Sequence, residues 1–415
     1  MFDFHSAFLN GELDVDEDIY MEQPPHHAVK NPNIFVVKLH KSLYGLKQAG
    51  KKWYNSLSRS LADIGFQKSE ADPAVFYAHV DNDIIVLAIH VDDCTITGSS
   101  ESLQNQFKAR IGEKFKLTDL GPISWLLGFA ITRDRAARTI TLSQRAYIET
   151  ILRRFNFEDC KPLAMPMDPN TQLSKDQSPT SVKEKAEMSV VPYRESVGSL
   201  NWAAVGTRPD IAFVVGVLSQ YLENPGWVHW EAVKRVFRYL QGTKDWKLTY
   251  GGATRGIIGF TDADGASQEH RRAISGSVIL IDGGAVSWSS KKQELVTLST
   301  TEAEYVATTH AAKEIIWFRR LLGEIFRPLA YPITLYSDNQ SSIALAHTQG
   351  QFHARTKHID IRYHYIRYMI EKGEIRLIYC PTEDMTADIL TKALPSGKAK
   401  HFAHALGLLR FAGEC

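Results

Sequence analysis

From Ile257 onward, three apolar β-rich runs follow one another with only short turns between them, and a long helical period comes next. The runs cover 257–262, 275–281 and 285–290. The loop between the first two carries Arg271-Arg272, and the second turn is Asp282-Gly283-Gly284, whose glycines supply the positive φ a tight hairpin needs. Ser299-Thr300-Thr301-Glu302 opens a helix predicted to reach about Ile325, with Ser299 or Thr301 as its cap. A fourth strand over 333–336 precedes a short helix from Gln340 and a basic helix from about His358 to Lys372. A fifth strand over 374–379 and a helix through Leu390, capped by Thr382-Glu383-Asp384, complete the block. Strands joined first by hairpins and then through helices make a mixed sheet with helices packed on it.

Upstream, residues 168–189 are rich in Pro, Asn, Gln, Ser, Thr and Lys and carry no apolar period, which reads as a long loop or linker. A weaker seam is Gly251-Gly252-Ala253-Thr254-Arg255-Gly256. Between them Trp202, Ile211, Phe213, Val217, Leu218 and Tyr221, then Val233, Val236, Phe237 and Leu240, are spaced as a helix pair broken at Asn224-Pro225-Gly226. The first block ends strand-rich: an alternating run over 74–80, a turn at Asp81-Asn82-Asp83, an apolar run over 84–89, and a short strand over 95–97 stopped by Gly98. Apolar spacing is helical over 101–107 and 144–155. The fold class expected is α+β or mixed, in two or three domains of roughly 150 residues each.

A hydrophobic fraction of 44% excludes a disordered chain. No apolar run approaches the roughly 20 residues of a membrane-spanning helix, so no membrane partner is expected. Met1-Phe2-Asp3-Phe4-His5 lacks the basic-then-apolar order of a secretory signal. Cys94, Cys160, Cys380 and Cys415 stand far apart without a Cys-x-x-Cys pair. Neither a disulfide framework nor a zinc knuckle is expected, and the default is a reducing compartment.

Forty-eight Lys and Arg against 47 Asp and Glu hide local cationic blocks. One holds Lys41, Lys47, Lys51 and Lys52, without an acid, among Tyr44, Trp53 and Tyr54. Another holds Arg355, Lys357, Arg362, Arg367, Lys372 and Arg376. Cations interleaved with aromatics suit a phosphate backbone and stacked bases, while a solvated helix face is the plainer reading of either block alone. His353, His358 and His364 match no zinc spacing and read as RNA-contacting or packing residues. Among the acids, Asp92-Asp93 sits at a hairpin tip after an apolar strand. Such a pair is either an exposed turn or two hard ligands for a divalent cation, which would need a third carboxylate from another strand. Asp3, in an apolar strand leading into a turn, is the candidate.

Several collinear stretches now carry a resemblance. Phe2-Asp3-Phe4-His5-Ser6-Ala7-Phe8, Leu43-Tyr44-Gly45-Leu46-Lys47-Gln48-Ala49, Val91-Asp92-Asp93, Tyr193 through Leu200 and Thr207-Arg208-Pro209-Asp210-Ile211 resemble the reverse transcriptase of copia-type LTR retrotransposons. Ala285 through Gln293, Ser299 through Tyr305 and Arg355 through His364 resemble the ribonuclease H portion of the same Pol polyproteins. The resemblance implies a polymerase palm and the start of a thumb over 1–167, a linker over 168–192, a helical thumb or connection over 193–250, and a ribonuclease H-like domain with a five-stranded mixed sheet over 251–415.

It further implies that Asp3, Asp92 and Asp93 are the polymerase carboxylates. Phe8 would exclude a 2′-hydroxyl, Gln48 would contact the incoming nucleotide or template, and Leu127-Gly128 would grip the primer; core packing is the plainer reading of Phe8 and Leu127. Asp262, Glu302, Asp338 and Asp388 would be the nuclease carboxylates, with Glu304 and Asp264 as near alternatives. Each set would hold two Mg²⁺, or Mn²⁺ in their place. Lys47, Lys51, Lys52, Arg355, Lys357, Arg362 and Arg367 would contact an RNA template, a DNA primer or an RNA–DNA hybrid, with other Pol and Gag products as further partners. The resemblance places such a protein in cytoplasmic particles or the nucleus. Two departures shape the expectation: His90 stands where the family has Tyr, and Asp3 is not preceded by the family's fingers segment. Hydrolysis of RNA in hybrids is therefore expected of this chain, and DNA synthesis by it alone is not. The competing expectation is a non-catalytic nucleic-acid-binding relic.

Overall fold

The computed structural model describes the chain apart from residues 15, 27–34, 253–255, 265–271, 298, 348–359 and 411–415, and gives no side chains for 360–363. The basic residues Arg355 and Lys357, the Arg362 side chain, and His353 and His358 thus lie outside the described residues. The chain divides into two compact units, Met1–Ile123 with Arg319–Leu329, and Ser124–Phe318 with Ala330–Cys415.

In the first unit, the described residues form a six-stranded sheet in the order Gln67–Lys68, Val75–Val80, Asp83–His90, Asp93–Gly98, Phe2–Phe4, Leu117–Asp119, antiparallel throughout. Period-two alternation turns Phe2, Phe4, Phe76, Ala78, Ile85, Leu87, Cys94 and Ile96 to one face. Helices Ala49–Asp63 and Glu101–Gly112 cover that face with Trp53, Leu57 and Leu61, and with Leu103, Phe107 and Ile111. Ser100 starts the second helix, its hydroxyl accepting from the Leu103 amide at 3.3 Å.

The second unit contains an antiparallel sheet in the order Leu408–Leu409, Lys247–Gly251, Thr139–Ser143, Phe129–Asp134, Trp125–Leu126. Leu142 pairs with Leu248 and Leu248 with Leu408, so this sheet recruits strands from both sides of 168–192. That polar segment is not a free linker. It contains a 3₁₀ turn, Lys175–Gln177, and a helix, Val182–Ser189, opened by a Ser181–Glu184 capping box. Tyr221 donates its hydroxyl to the Leu173 carbonyl at 2.7 Å and Asn224 its amide to the Pro179 carbonyl at 3.2 Å. The segment is tied to a neighbouring element through its backbone carbonyls, and Met188 is the buried residue of the short helix.

Helices Arg145–Arg154, Tyr193–Gly206, Ala212–Ser219 and Trp227–Thr243 share one core. The expected break at Asn224–Gly226 is present, and a Cβ on Gly226 would meet the Gln177 carbonyl oxygen at 2.1 Å. Inside this core Arg208 and Asp210 are wholly buried as a bidentate pair, Nε and Nη2 donating at 2.9 and 2.7 Å. Tyr239 donates to the same carboxylate at 2.6 Å, and Arg208 reaches the Thr243 hydroxyl at 2.7 Å.

The second sheet of this unit has the order Gly284–Lys292, Ile274–Ile281, Ile257–Asp264, Ile333–Ser337, Ile375–Tyr379. The first three strands pair antiparallel and the last three parallel, the five-stranded mixed sheet expected from the element order. Helix Thr300–Ile325 packs with Ala303, Ala307, Ala311 and Ile315 buried at successive turns, and these small residues bring its first turns close to Ala263 and Ala273.

Removing one partner of the buried pair should be costly. Asp210→Asn leaves the Arg208 guanidinium uncompensated and should cost roughly 3–5 kcal/mol in urea unfolding. A cost below about 1 kcal/mol would mean the pair contributes little to the core.

Candidate active sites

Asp3, Asp92 and Asp93 come from two strands and the turn between strands. Asp3 is paired with Asp93 across the Phe2–Phe4 and Asp93–Gly98 ladder. His90 pairs with Asp93, so Val91-Asp92 is a two-residue hairpin turn. Val91 has φ +59°, a strained conformation for a β-branched residue, and Asp92 is not among the positive-φ positions. Three contacts hold the turn in place. Trp53 Nε1 donates to the Val91 carbonyl at 2.7 Å, the Phe4 amide donates to the Asp92 carbonyl at 3.1 Å, and Phe4, Trp53 and Phe115 pack edge-on at 5.1–5.7 Å. Burial, reinforced by Asp92 and Asp93, raises the Asp3 carboxyl above its ordinary range. His90 is exposed beside this turn.

Phe8, in the 3₁₀ turn Ala7–Asn10, is half-buried with its ring 4.9 Å from that of Tyr44. Gln48 and Lys52 have partners within the fold. Gln48 donates its amide to Glu17 at 2.8 Å, and Lys52 is ion-paired with Asp14 at 2.5 Å and Glu17 at 2.7 Å. The block 41–52 has no acid in its own sequence, but a preceding loop supplies two. Lys47 and Lys51 remain exposed. In the second unit, Leu127 and Gly128 both have positive φ, +50° and +87°, at the tip of a hairpin that pairs Leu126 with Phe129. Leu127 is exposed, not core. Arg367 is also committed within the protein, donating from Nε and Nη2 to the Leu345 carbonyl at 3.2 and 3.0 Å.

The second set of carboxylates gathers at one end of the mixed sheet. Asp262 lies on Ile257–Asp264, Asp338 follows Ile333–Ser337, and Asp388 is in the 3₁₀ turn Thr386–Leu390. Asp262, Glu304 and Asp338 bring carboxylate oxygens within 4.8 Å of one another. The glutamate in this set is Glu304 where Glu302 was expected. Glu302 is buried but outside the set, because two residues turn a helix by about 200°. The signal was available: Glu304, Ala307, Ala311 and Ile315 are spaced 3, 4 and 4 residues apart on the sheet-facing stripe. Glu302 instead belongs to the helix start, its amide donating to Ser299 Oγ at 3.2 Å. Asp264, half-buried on the same strand, is likewise outside the set.

Asp388 approaches through a position sequence reasoning passed over. Gly276 is the register partner of Asp262, and a Cβ there would meet Thr391 Cγ2 at 2.6 Å and the Ala387 carbonyl at 2.9 Å. Its missing side chain admits the turn carrying Asp388. Thr391 donates its hydroxyl to Asp262 Oδ2, and Thr382 donates to Asp338 Oδ2 at 2.9 Å. Lys392 Nζ stands 2.9 Å from Asp388 Oδ1 and 3.8 Å from Asp262 Oδ2.

Burial dominates the electrostatics. It raises Asp262 to about 7, against the pull of Lys392 and with the push of Asp388 and Asp338. It raises Glu304 to about 9, helped by Asp262 and Asp338. Glu304 Oε2 is buried without a hydrogen-bond partner. An orphaned carboxylate oxygen facing two more hard oxygen donors fits a divalent cation such as Mg²⁺ or Mn²⁺.

Residues 1–169 match the family model for reverse transcriptase (RNA-dependent DNA polymerase). Over 409 residues the chain is 43% identical to the retrovirus-related Pol polyprotein from transposon TNT 1-94 of Nicotiana tabacum, covering 98% of this chain and 30% of that one. A transposon Ty5-1 protein of Saccharomyces cerevisiae is 31% identical over 316 residues, 75% of this chain and all of that protein. The chain belongs to the copia-type LTR retrotransposon Pol family. It spans less than a third of the length of the plant Pol polyproteins it matches. Among solved structures, LC11-RNase H1 in complex with RNA/DNA hybrid aligns with 32% of this Pol chain and 93% of its own, at 18% identity and a TM-score of 0.25.

The raised carboxyls carry a stability signature. In the metal-free Pol chain, Glu304 holds a proton up to about 9 that the unfolded chain, with a value near 4.5, has released. The folded state binds more protons across that window, so stability should fall as pH climbs from about 4.5 to 9. Glu304→Gln should flatten the slope in denaturant unfolding with chelator present. An unchanged slope would show that Glu304 ionises normally.

Proposed function

We propose that the carboxylates at the end of the mixed sheet hydrolyse the RNA strand of RNA–DNA hybrids with two divalent cations. The observation that carries the reading is the close approach of Asp262, Glu304 and Asp338, with Glu304 Oε2 buried and unpartnered. Asp262 and Glu304 are anchored on strand and helix backbone, so little reorganisation is needed for them to receive a cation. Thr391 and Thr382 fix the orientations of Asp262 and Asp338. When bound, the cations would activate a water against the phosphodiester and stabilise the leaving 3′-oxygen. Family membership supports an RNA–DNA hybrid as substrate, and such hybrids are read through backbone and 2′-hydroxyls.

The test is cleavage of a labelled hybrid in Mg²⁺. Asp262→Asn and Glu304→Gln should each lower the rate by roughly 100-fold or more, the scale of losing a charge-stabilising group. Glu302→Gln should stay within a few-fold of wild type. Loss through Glu302 with Glu304 dispensable would refute the assignment. A folded protein that shifts hybrid on a gel yet cleaves it in neither Mg²⁺ nor Mn²⁺ would replace this reading with the non-catalytic binding relic.

For the palm we propose RNA-directed DNA synthesis within the longer Pol protein, supported by the Asp3–Asp93 register and the pinned Val91-Asp92 turn. Asp93→Asn should abolish primer extension on an RNA template by that longer protein. Undiminished extension would remove Asp93 from the site.

A further inference from the structure

The four carboxylates at the sheet end are not equivalent. Three lie within 4.8 Å of one another, and Asp388 is not one of them. It is nonetheless fully buried, with Lys392 Nζ at 2.9 Å from Oδ1. The same ammonium stands 3.8 Å from Asp262 Oδ2. One cation of the protein's own thus already lies beside two carboxylates that could hold a second metal ion. An ammonium is a compact point charge on a flexible stem, which suits it to this role better than a planar guanidinium. Its placement is built in. Lys392 follows Asp388 by four residues, and Thr391 between them donates both to Asp262 Oδ2 and, at 3.1 Å, to the Asp388 carbonyl. The lysine side chain is 36% exposed, so it has a route out to solvent, whereas the carboxylates, at 4% and 0%, do not.

We infer that Lys392 is a resident cation surrogate, which occupies the Asp262–Asp388 position and must swing out before a second divalent ion binds there. This rests on the proposed cation site, and it makes the two ions unequal. The first, held by Asp262, Glu304 and Asp338, displaces no side chain, while the second competes with a tethered ammonium.

The experiment counts Mn²⁺ bound to the chelator-stripped full chain by the electron paramagnetic resonance signal of the free ion, in a background of Asp3→Asn, Asp92→Asn and Asp93→Asn that removes the other carboxylate set. With the sheet-end residues left as wild type, that background should bind one ion tightly and a second weakly. Lys392→Met should tighten the second by roughly tenfold or more, the scale on which groups around metal ligands change affinity. It should also lower the melting temperature in chelator, where the ammonium alone balances Asp388. Lys392→Gln, which keeps a polar tip without charge, should give the same binding result and serves if the methionine variant folds poorly. Two equal sites in that background, or second-ion affinity unchanged in both variants, would overturn the inference. Hybrid cleavage measured alongside separates it from the nuclease reading. Tightened second-ion binding without cleavage leaves the surrogate standing and removes the nuclease. Cleavage with unchanged ion binding does the reverse.

Discussion

Bringing like charges together out of water is the constraint on which the second unit's mixed sheet depends. A buried carboxylate is costly, and neighbours of the same sign add to the cost, so the backbone must hold the groups where they would not gather unaided. Close packing does this. The alanine stripe lets helix Thr300–Ile325 lie near the strand that carries Asp262, and Gly276 leaves room for the turn that carries Asp388. Both devices remove side-chain volume beside the carboxylates, since carbonyl and methyl groups already fill the space a larger residue would take. Hydroxyls from Thr391 and Thr382 then fix orientations without adding charge.

Asp3, Asp92 and Asp93 in the first unit also gather like charges, with different geometry. They sit on neighbouring antiparallel strands and the turn between two of them, and are half-buried. Here the strain is in the backbone. Val91 occupies a left-handed position better suited to glycine, and the Trp53 indole holds its carbonyl. Trp53 belongs to an aromatic cluster with Phe4 and Phe115, so the turn is coupled to the core of its own unit. Both Asp3 and Glu304 are raised by burial with like charges beside them, Glu304 to about 9.

What could be read from the sequence follows how local the determining interaction is. The five strands of the mixed sheet were legible because Ile274–Ile281 and its neighbours are short β-rich stretches bounded by turn residues. The tip location of Asp92 and the break before Trp227 were legible for the same reason. Glu302 was chosen over Glu304 by attention to the helix start, whereas approach to Asp262 and Asp338 follows the wheel position relative to Ala307 and Ala311. Gln48 and Lys52 looked free because their partners, Asp14 and Glu17, lie more than thirty residues earlier and meet them only in the fold. The polar stretch 168–192 looked like a linker because its ties run from its own backbone carbonyls to residues beyond Tyr221, and no side-chain period records them. Gly276 carries no local signal at all, since what requires it is Thr391, over a hundred residues away.

Charge balance connects these observations. Without a divalent ion, the second unit's site reaches near-neutrality by holding protons on Glu304 and Asp262 and an ammonium against Asp388. A divalent ion supplies the same positive charge from one compact centre and would return both carboxyls to their ionised forms, so binding it releases protons. The burial that makes the empty arrangement costly is therefore what gives a cation its advantage, because each oxygen it satisfies was already stripped of water. Deep burial without internal neutralisation would unfold the sheet end, and full internal neutralisation by arginine would leave nothing for an ion to gain. Protons and a swinging lysine lie between those limits: both neutralise the site, and both can leave.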